Sequence, residues 1–182
     1  MINLTFRNNW NISSVVYWQK RQEMEKFSDF YISLSLSSDR TKPIYFRLGG
    51  AGNTKVYNWR RKYIASFMRL WHGLSWRPVP DLTLSLDGDI TVEFKPDRSL
   101  EHISWVWHPT LSWRLVRDLY LRWWNEVNTD IDLHRSNLLL SWNFLPKSWA
   151  YLALNQSMDS SGDKIELKDR IFVAKVRWLF SI

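Results

Sequence analysis

Asp81-Leu82-Thr83-Leu84-Ser85-Leu86-Asp87-Gly88-Asp89-Ile90-Thr91-Val92-Glu93-Phe94 is the stretch that decides the fold. Leu82, Leu84, Leu86, Ile90, Val92 and Phe94 alternate with Asp81, Thr83, Ser85, Asp87, Asp89, Thr91 and Glu93. A period of two belongs to an extended strand, with one apolar and one polar face. The alternation outlasts the roughly 5–6 residues of an ordinary globular strand, and Gly88 is its one interruption. Working outward, the same rhythm returns in Ile32–Ser37, Met68–Trp76 and Leu138–Trp142. It closes the chain as Phe172, Ala174, Val176, Trp178, Phe180 and Ile182, with Lys175, Arg177 and Ser181 on the opposite side.

A second regularity is a repeat of Ser-Trp followed by a tight turn: Ser75-Trp76-Arg77-Pro78, Ser112-Trp113-Arg114-Leu115 and Ser141-Trp142-Asn143-Phe144. The repeating unit is a hairpin, and Pro78, Pro80 and Pro146 suit turns or strand starts, where a missing N–H does no harm. Longer polar segments lie between: Gln19–Asp29, Gly49–Lys62, Lys95–Glu101, Asn125–Arg135 and Asp159–Asp169. About ten to twelve strands fit this alternation of short and long connections, among them a weak one over 55–64. The best helical candidate is the charged stretch Trp18–Phe27.

Composition narrows the class. The chain has 182 residues, a formal charge of +7, 13 Trp and no Cys. Indoles are bulky and carry an N–H that wants a partner, so this many belong at a boundary and not in one core. The missing cysteine excludes a disulfide framework, a thiolate nucleophile and Cys-based metal sites. Met1–Asn9 carries no apolar signal region, and no window approaches the eighteen apolar residues of a membrane helix. A β-barrel crosses with about 9–11 alternating residues per strand and is untouched by that test.

These marks predict an all-β fold: an antiparallel up-and-down barrel of the transmembrane type, or a partial barrel, forming a single domain over 1–182 or the C-terminal part of a larger barrel. Trp76, Trp113 and Trp142 share one address before the short turns and predict a membrane-interface girdle. Tyr57, Trp59, Tyr63, Trp105, Trp107, Trp123 and Trp124 would build the other girdle. Leu82, Leu84, Leu86, Ile90 and Val92 are expected to face lipid, and Asp87, Asp89, Glu93, Lys175 and Arg177 a wet lumen. The alternative architecture is a soluble, Trp-rich extracellular β-sandwich that binds carbohydrate.

The runs Ser35–Pro43, Leu74–Pro78, Arg135–Phe144 and Tyr151–Gln156 resemble the C-terminal outer-membrane barrel domain, of unknown function, of bacterial proteins that carry an N-terminal β-sandwich similar to family 9 carbohydrate-binding modules. The resemblance implies a fold and a location, the bacterial outer membrane, and no chemistry. Such proteins are several times longer, so the resemblance implies a C-terminal piece or a reduced relative. Ile182 also stands where that class of barrel commonly ends in Phe.

Chemistry-bearing patterns are few. Asp87-Gly88-Asp89 with Glu93 is expected to be a polar wall balanced by Arg and Lys, the other reading being an ion site. Asp130-x-Asp132-x-His134 places Asp132 and His134 where a membrane-embedded hydrolase would hold an acid–base pair; a polar loop is the simpler reading. His72, His102 and His108 are scattered, and Leu48–Asn53 is rich in glycine without the Lys-Ser/Thr of a phosphate loop, so a strand bend or loop is expected there. Trp59-Arg60-Arg61-Lys62-Tyr63 interleaves cations with aromatics, but the alternating pattern favours a lipid or saccharide partner over nucleic acid. The expectation is therefore a passive outer-membrane pore or anchor domain without cofactor or metal, its partners the lipid bilayer and an anionic glycolipid or saccharide.

Overall fold

The computed structural model describes residues 1–162 and 165–179. It is all-β: β1 (Ile2–Thr5), β2 (Asn11–Gln22), β3 (Lys26–Ser37), β4 (Ile44–Asn58), β5 (Tyr63–Val79), β6 (Leu82–Phe94), β7 (Leu100–Val116), β8 (Leu119–Asn128), β9 (Leu133–Leu145), β10 (Ser148–Asp159) and β11 (Glu166–Arg177). These eleven form one antiparallel sheet in sequence order, with β1 and β11 at the ends of a linear order. This is the connectivity of an up-and-down barrel left open. One sheet, and not the two of a sandwich, is present among the described residues. Phe180, Ser181 and Ile182, the end of the alternation expected for the last strand, lie outside the described residues.

Contacts divide the chain into two compact units, Met1–Leu74 with Gly88–Trp105, and Ser75–Asp87 with Val106–Ile182. In the first, β2 and β3 pair without a register shift from Asn11↔Ser37 to Gln22↔Lys26. Ile12, Val16 and Trp18 therefore share a face with Leu36, Ile32 and Phe30, while Ser13, Tyr17, Gln19 and Arg21 share the other with Ser35, Tyr31, Asp29 and Phe27. The charged stretch Trp18–Phe27, the helical candidate, is the end of β2, a three-residue turn and the start of β3. Its side chains can be satisfied across the ladder, so local charge does not select helix. The glycines of Leu48–Asn53 are interior to β4, which runs unbroken to Asn58, so no loop interrupts it there and no separate strand over 55–64 occurs.

In the second unit the expected tight turns are two residues long, at 80–81, 117–118 and 146–147. Trp76, Trp113 and Trp142 each stand three residues before the end of β5, β7 and β9, and all three are exposed. The turns are tied sideways by backbone bonds from the Arg114 N–H to the Asp81 carbonyl (2.8 Å) and from the Asn143 N–H to the Asp118 carbonyl (2.8 Å). Leu119, Leu121 and Trp123 oppose Trp142, Leu140 and Leu138 on one face; Tyr120, Trp124 and Glu126 oppose Ser141, Asn137 and Arg135 on the other. Of the polar segments expected as long connections, Gln19–Asp29, Gly49–Lys62 and Asn125–Arg135 are mostly absorbed into strands, where their polar residues share the ladders, whereas Lys95–Glu101 is mostly the connection between β6 and β7 and Asp159–Asp169 spans the one between β10 and β11.

Burial runs opposite to that of a water-soluble globule. Among the described residues, Phe27, Ala65 and Val92 are the buried apolar side chains, whereas Asp29 and Ser148 are the largest fully buried ones. Along β3, Asp29 is 0% exposed while Phe30, Ile32 and Leu34 are 42%, 50% and 58% exposed. The chain keeps 13,021 Å² of accessible surface, against about 9,300 Å² for a soluble monomer of this mass.

Connections are fixed by carboxylates. Asp39 accepts the Thr41 N–H (2.9 Å), the Thr41 hydroxyl (2.8 Å) and the Asn9 amide (3.2 Å), and these bonds hold its carboxyl below the ordinary 3.8. Asp97 is lowered in the same way by the hydroxyl and N–H of Ser99. A depressed carboxyl stabilises the folded state above its unfolded pKa, and the contribution is lost as pH falls through the folded value. Asp39→Asn should therefore lower the unfolding midpoint at neutral pH, and the gap from wild type should shrink progressively below pH 3.8. A denaturant titration repeated across pH checks this; a gap that does not change with acid would contradict it.

Candidate functional site

The polar face of the first unit holds the densest chemistry. Asp29 points into it from β3, and its carboxylate accepts the Asn53 amide (2.6 Å), the Gln19 amide (3.2 Å) and the Lys55 backbone N–H (3.2 Å), with the Arg21 guanidinium 3.7 Å away. A fully buried carboxylate requires such a shell of donors. Beside it Tyr31 stacks on Tyr17, ring centres 4.7 Å apart. On β5, Arg69 grips Asp89 of β6 through Nε (3.0 Å) and Nη2 (2.9 Å), a two-point clamp. Between these groups lies a cleft of about 490 Å³ lined by Tyr31, Arg47, Asn53, Arg69, Trp71 and Asp89, with Ala51 and Phe67.

The glycine-rich segment makes this cleft possible. A Cβ on Gly49 would come within 2.4 Å of the Trp71 indole, so the bare backbone of β4 is what lets that ring lie against it. Gly50, which faces the other way, admits Leu70, whose Cδ2 would be 2.8 Å from an added Cβ.

The expected carboxylate row divides. Asp89 is clamped by Arg69, and Glu93 lies 3.8 Å from Arg61, which also pairs with Glu101 at 3.1 Å. Arg61 belongs to the basic run Trp59–Tyr63, which forms the turn after β4 and the first residue of β5; Asn58 caps the turn by accepting the N–H groups of Arg60 (3.1 Å) and Arg61 (3.0 Å). Asp87, in the second unit, is partnered as well. Lys175 and Arg177 are exposed on β11, opposite Tyr151 and Trp149 on one face.

Asp132 and His134 do not form a pair. Asp132 sits in the turn before β9 with φ of 49°, its carbonyl accepting the Ser160 N–H at 2.8 Å. His134 stands in β9 opposite Val127 and Met158, on the face of Leu138, Leu140 and Trp142. No hydrogen bond or ion pair joins the two among the described residues. An imidazole–carboxylate contact does occur where spacing gave no hint: His108 Nε2 lies 3.4 Å from Glu126, which also meets Arg135 at 3.9 Å, while the His108 ring stacks on Trp124. The contact is created by the β7–β8 register, so its signal was in strand pairing and not in any local motif. Among the described residues no group of three His, Asp or Glu side chains is placed to hold a metal ion.

No protein-family model, curated protein or solved structure matches the chain.

The Asp29 shell yields a direct test. Asp29→Ala strips the acceptor from three donors and should cost about 3 kcal/mol of stability, while Asp29→Asn, which keeps one acceptor oxygen, should cost less than half as much. Denaturant unfolding followed by tryptophan fluorescence measures both; equal losses would show that volume, and not hydrogen bonding, is what Asp29 supplies.

Proposed function

We propose that the chain is a bacterial outer-membrane β-barrel protein, a passive pore or membrane anchor rather than a catalyst. The observation that carries this reading is the inverted burial: Asp29 is fully covered while Ile32 and Leu34, three and five residues on, are half exposed or more. Water disfavours such an arrangement at about 25 cal/mol for each Å² of apolar surface left wet, and a hydrocarbon surround removes that penalty. Strands β2 to β10 are flanked by ladder partners on both sides, as hydrocarbon demands of the polar main chain, and insertion requires the outer edges of β1 and β11 to be paired by a further strand in the membrane. Trp76, Trp113 and Trp142, each three residues before the end of a strand that leads into a two-residue turn, supply amphipathic rings suited to the boundary between acyl chains and headgroups. Asp89, Glu93, Arg61 and Arg69 then belong to a hydrated polar wall, consistent with solute passage and with an anionic glycolipid or saccharide as partner.

Leu34→Arg separates a membrane surround from an aqueous one. At a lipid-facing site near mid-bilayer the substitution should cost about 2–4 kcal/mol, whereas an exposed position in water tolerates it within about 0.5 kcal/mol. The full chain should also need detergent to stay dispersed and should migrate differently on a gel before and after boiling. A detergent-free monomer in which Leu34→Arg is neutral would overturn the proposal.

A further inference from the structure

We infer that the polar face of the second unit carries a binding subsite for a single hexose ring, held through its hydroxyl groups and one apolar ring face. The inference rests on the pore reading for how a sugar reaches the site, and on the second unit alone for the site itself. Strand register brings the groups together: Trp124 of β8 opposes Asn137 of β9, Asn137 opposes Asn155 of β10, and Asn155 opposes Ile171 of β11. The next row on the same face is Glu126, Arg135, Ser157 and Asp169. These two rows supply most of the lining of a cleft of about 300 Å³, at the lower end of the range of small-molecule sites, about 300–1,000 Å³. From β8 to β10 the first row crosses two strand spacings, about 10 Å, the breadth of one sugar ring with its hydroxyls and not of a longer chain.

Neutral groups with hydrogen-bonding capacity to spare select the ligand. Asn137 donates to the side-chain carbonyl of Asn155, and this bond leaves the Asn137 carbonyl oxygen and the Asn155 amino group without a partner among the described residues. The indole N–H of Trp124 has none either, whereas that of its neighbour Trp123 is bonded to the Ser136 hydroxyl at 3.0 Å. Three successive strands thus offer a donor, an acceptor and a donor in one row. Neighbouring hydroxyls of a sugar, each of which both donates and accepts, can meet all of them. Trp124 adds the apolar surface. His108 of β7 stacks on one face of its ring, centres 5.9 Å apart, and the remaining lining of the cleft comes from β9, β10 and β11 on the other side of β8. The second face of the indole is therefore left to the cleft, preformed for the C–H face of a pyranose. The charged lining groups are engaged with the protein: Arg135 lies 3.9 Å from Glu126, and Asp169 accepts the Ser157 hydroxyl at 3.2 Å. Recognition by neutral hydrogen bonds and stacking is not screened by salt.

The test uses the full chain in micelles of a sugar-free detergent, titrated with methyl glucoside, methyl galactoside, sorbitol and cytosine, and followed by tryptophan fluorescence and calorimetry. One of the two hexosides should bind saturably and at least tenfold more tightly than sorbitol, which has the hydroxyls without a ring face, and than cytosine, which has a flat ring without the hydroxyls. Its affinity should change less than twofold between about 0.05 and 0.5 M salt. Asn155→Ala and Trp124→Leu should each weaken it tenfold or more. Ile171→Trp, at a position 56% exposed on β11, should fill the cleft and abolish binding while leaving the strand circular dichroism spectrum unchanged, so it decides alone if the other two variants fail to fold. Absence of saturable binding by either hexoside, sorbitol or cytosine bound as tightly as the hexoside, an affinity that falls with salt, or unchanged binding by folded Ile171→Trp would overturn the subsite. Salt conductance of the reconstituted chain, measured without sugar, reports on the pore separately: conductance without sugar binding removes only the subsite, and sugar binding without conductance removes only the pore.

Discussion

Period-two alternation held in register is the constraint on which the rest of the structure depends. A slip of one residue in any ladder would carry every side chain of that strand to the opposite face. In the β2–β3 hairpin such a slip of β3 would place Asp29 on the face of Val16 and Trp18, and would carry Phe30 to the face where Tyr17 now meets Tyr31. The unshifted pairing from Asn11 to Gln22 opposes this, and so do the side-chain bonds across it, Gln19 to Asp29 above all. Each polar bond works as a register pin as well as a source of stability, because it can form at only one alignment.

The polar face replaces the hydrophobic core as the specific part of the fold. In an ordinary domain apolar side chains interlock and polar groups are left to solvent. Here the buried carboxylate of Asp29, the Arg69–Asp89 clamp and the His108–Glu126–Arg135 cluster are the well-defined contacts, and the apolar face is a set of exposed Phe, Ile, Leu and Trp. Hydrogen bonds are directional where apolar contact is not, so a structure ordered by its polar face can be specific while burying little hydrocarbon.

Much of the architecture was legible in the alternation. Leu82–Phe94 is a strand with the bounds its pattern predicts, and the three Ser-Trp segments do precede turns of two residues. The reading failed where local composition competed with pairing. Trp18–Phe27 is charged enough to offer a helical candidate, and Leu48–Asn53 has enough glycine to suggest a strand bend or loop, yet the first is a hairpin end and the second a strand, each held by pairing with its neighbours. The site was less legible than the fold. Asp132 and His134 are two apart in sequence, which in a β-strand would place them on one face, but Asp132 belongs to a turn with positive φ and the strand begins after it. Asp29, Asn53, Arg69 and Asp89 come together only through the order and register of four strands, information that no single segment contains.

The scarcity of buried apolar side chains has a consequence for how such a sequence can change over time. Phe27, Ala65 and Val92 are the described positions where trimming an apolar side chain would open a void in a packed interior. On the exposed apolar face an exchange of Leu for Ile, Val or Phe meets no fixed neighbour to clash with and leaves no cavity, so drift there is nearly free. The intolerant positions are instead the small ones that admit a ring, such as Gly49, and the polar ones that fix a register, such as Asp29. A lineage of this design would preserve its rhythm of polar and apolar residues long after the identities of most of them had been exchanged.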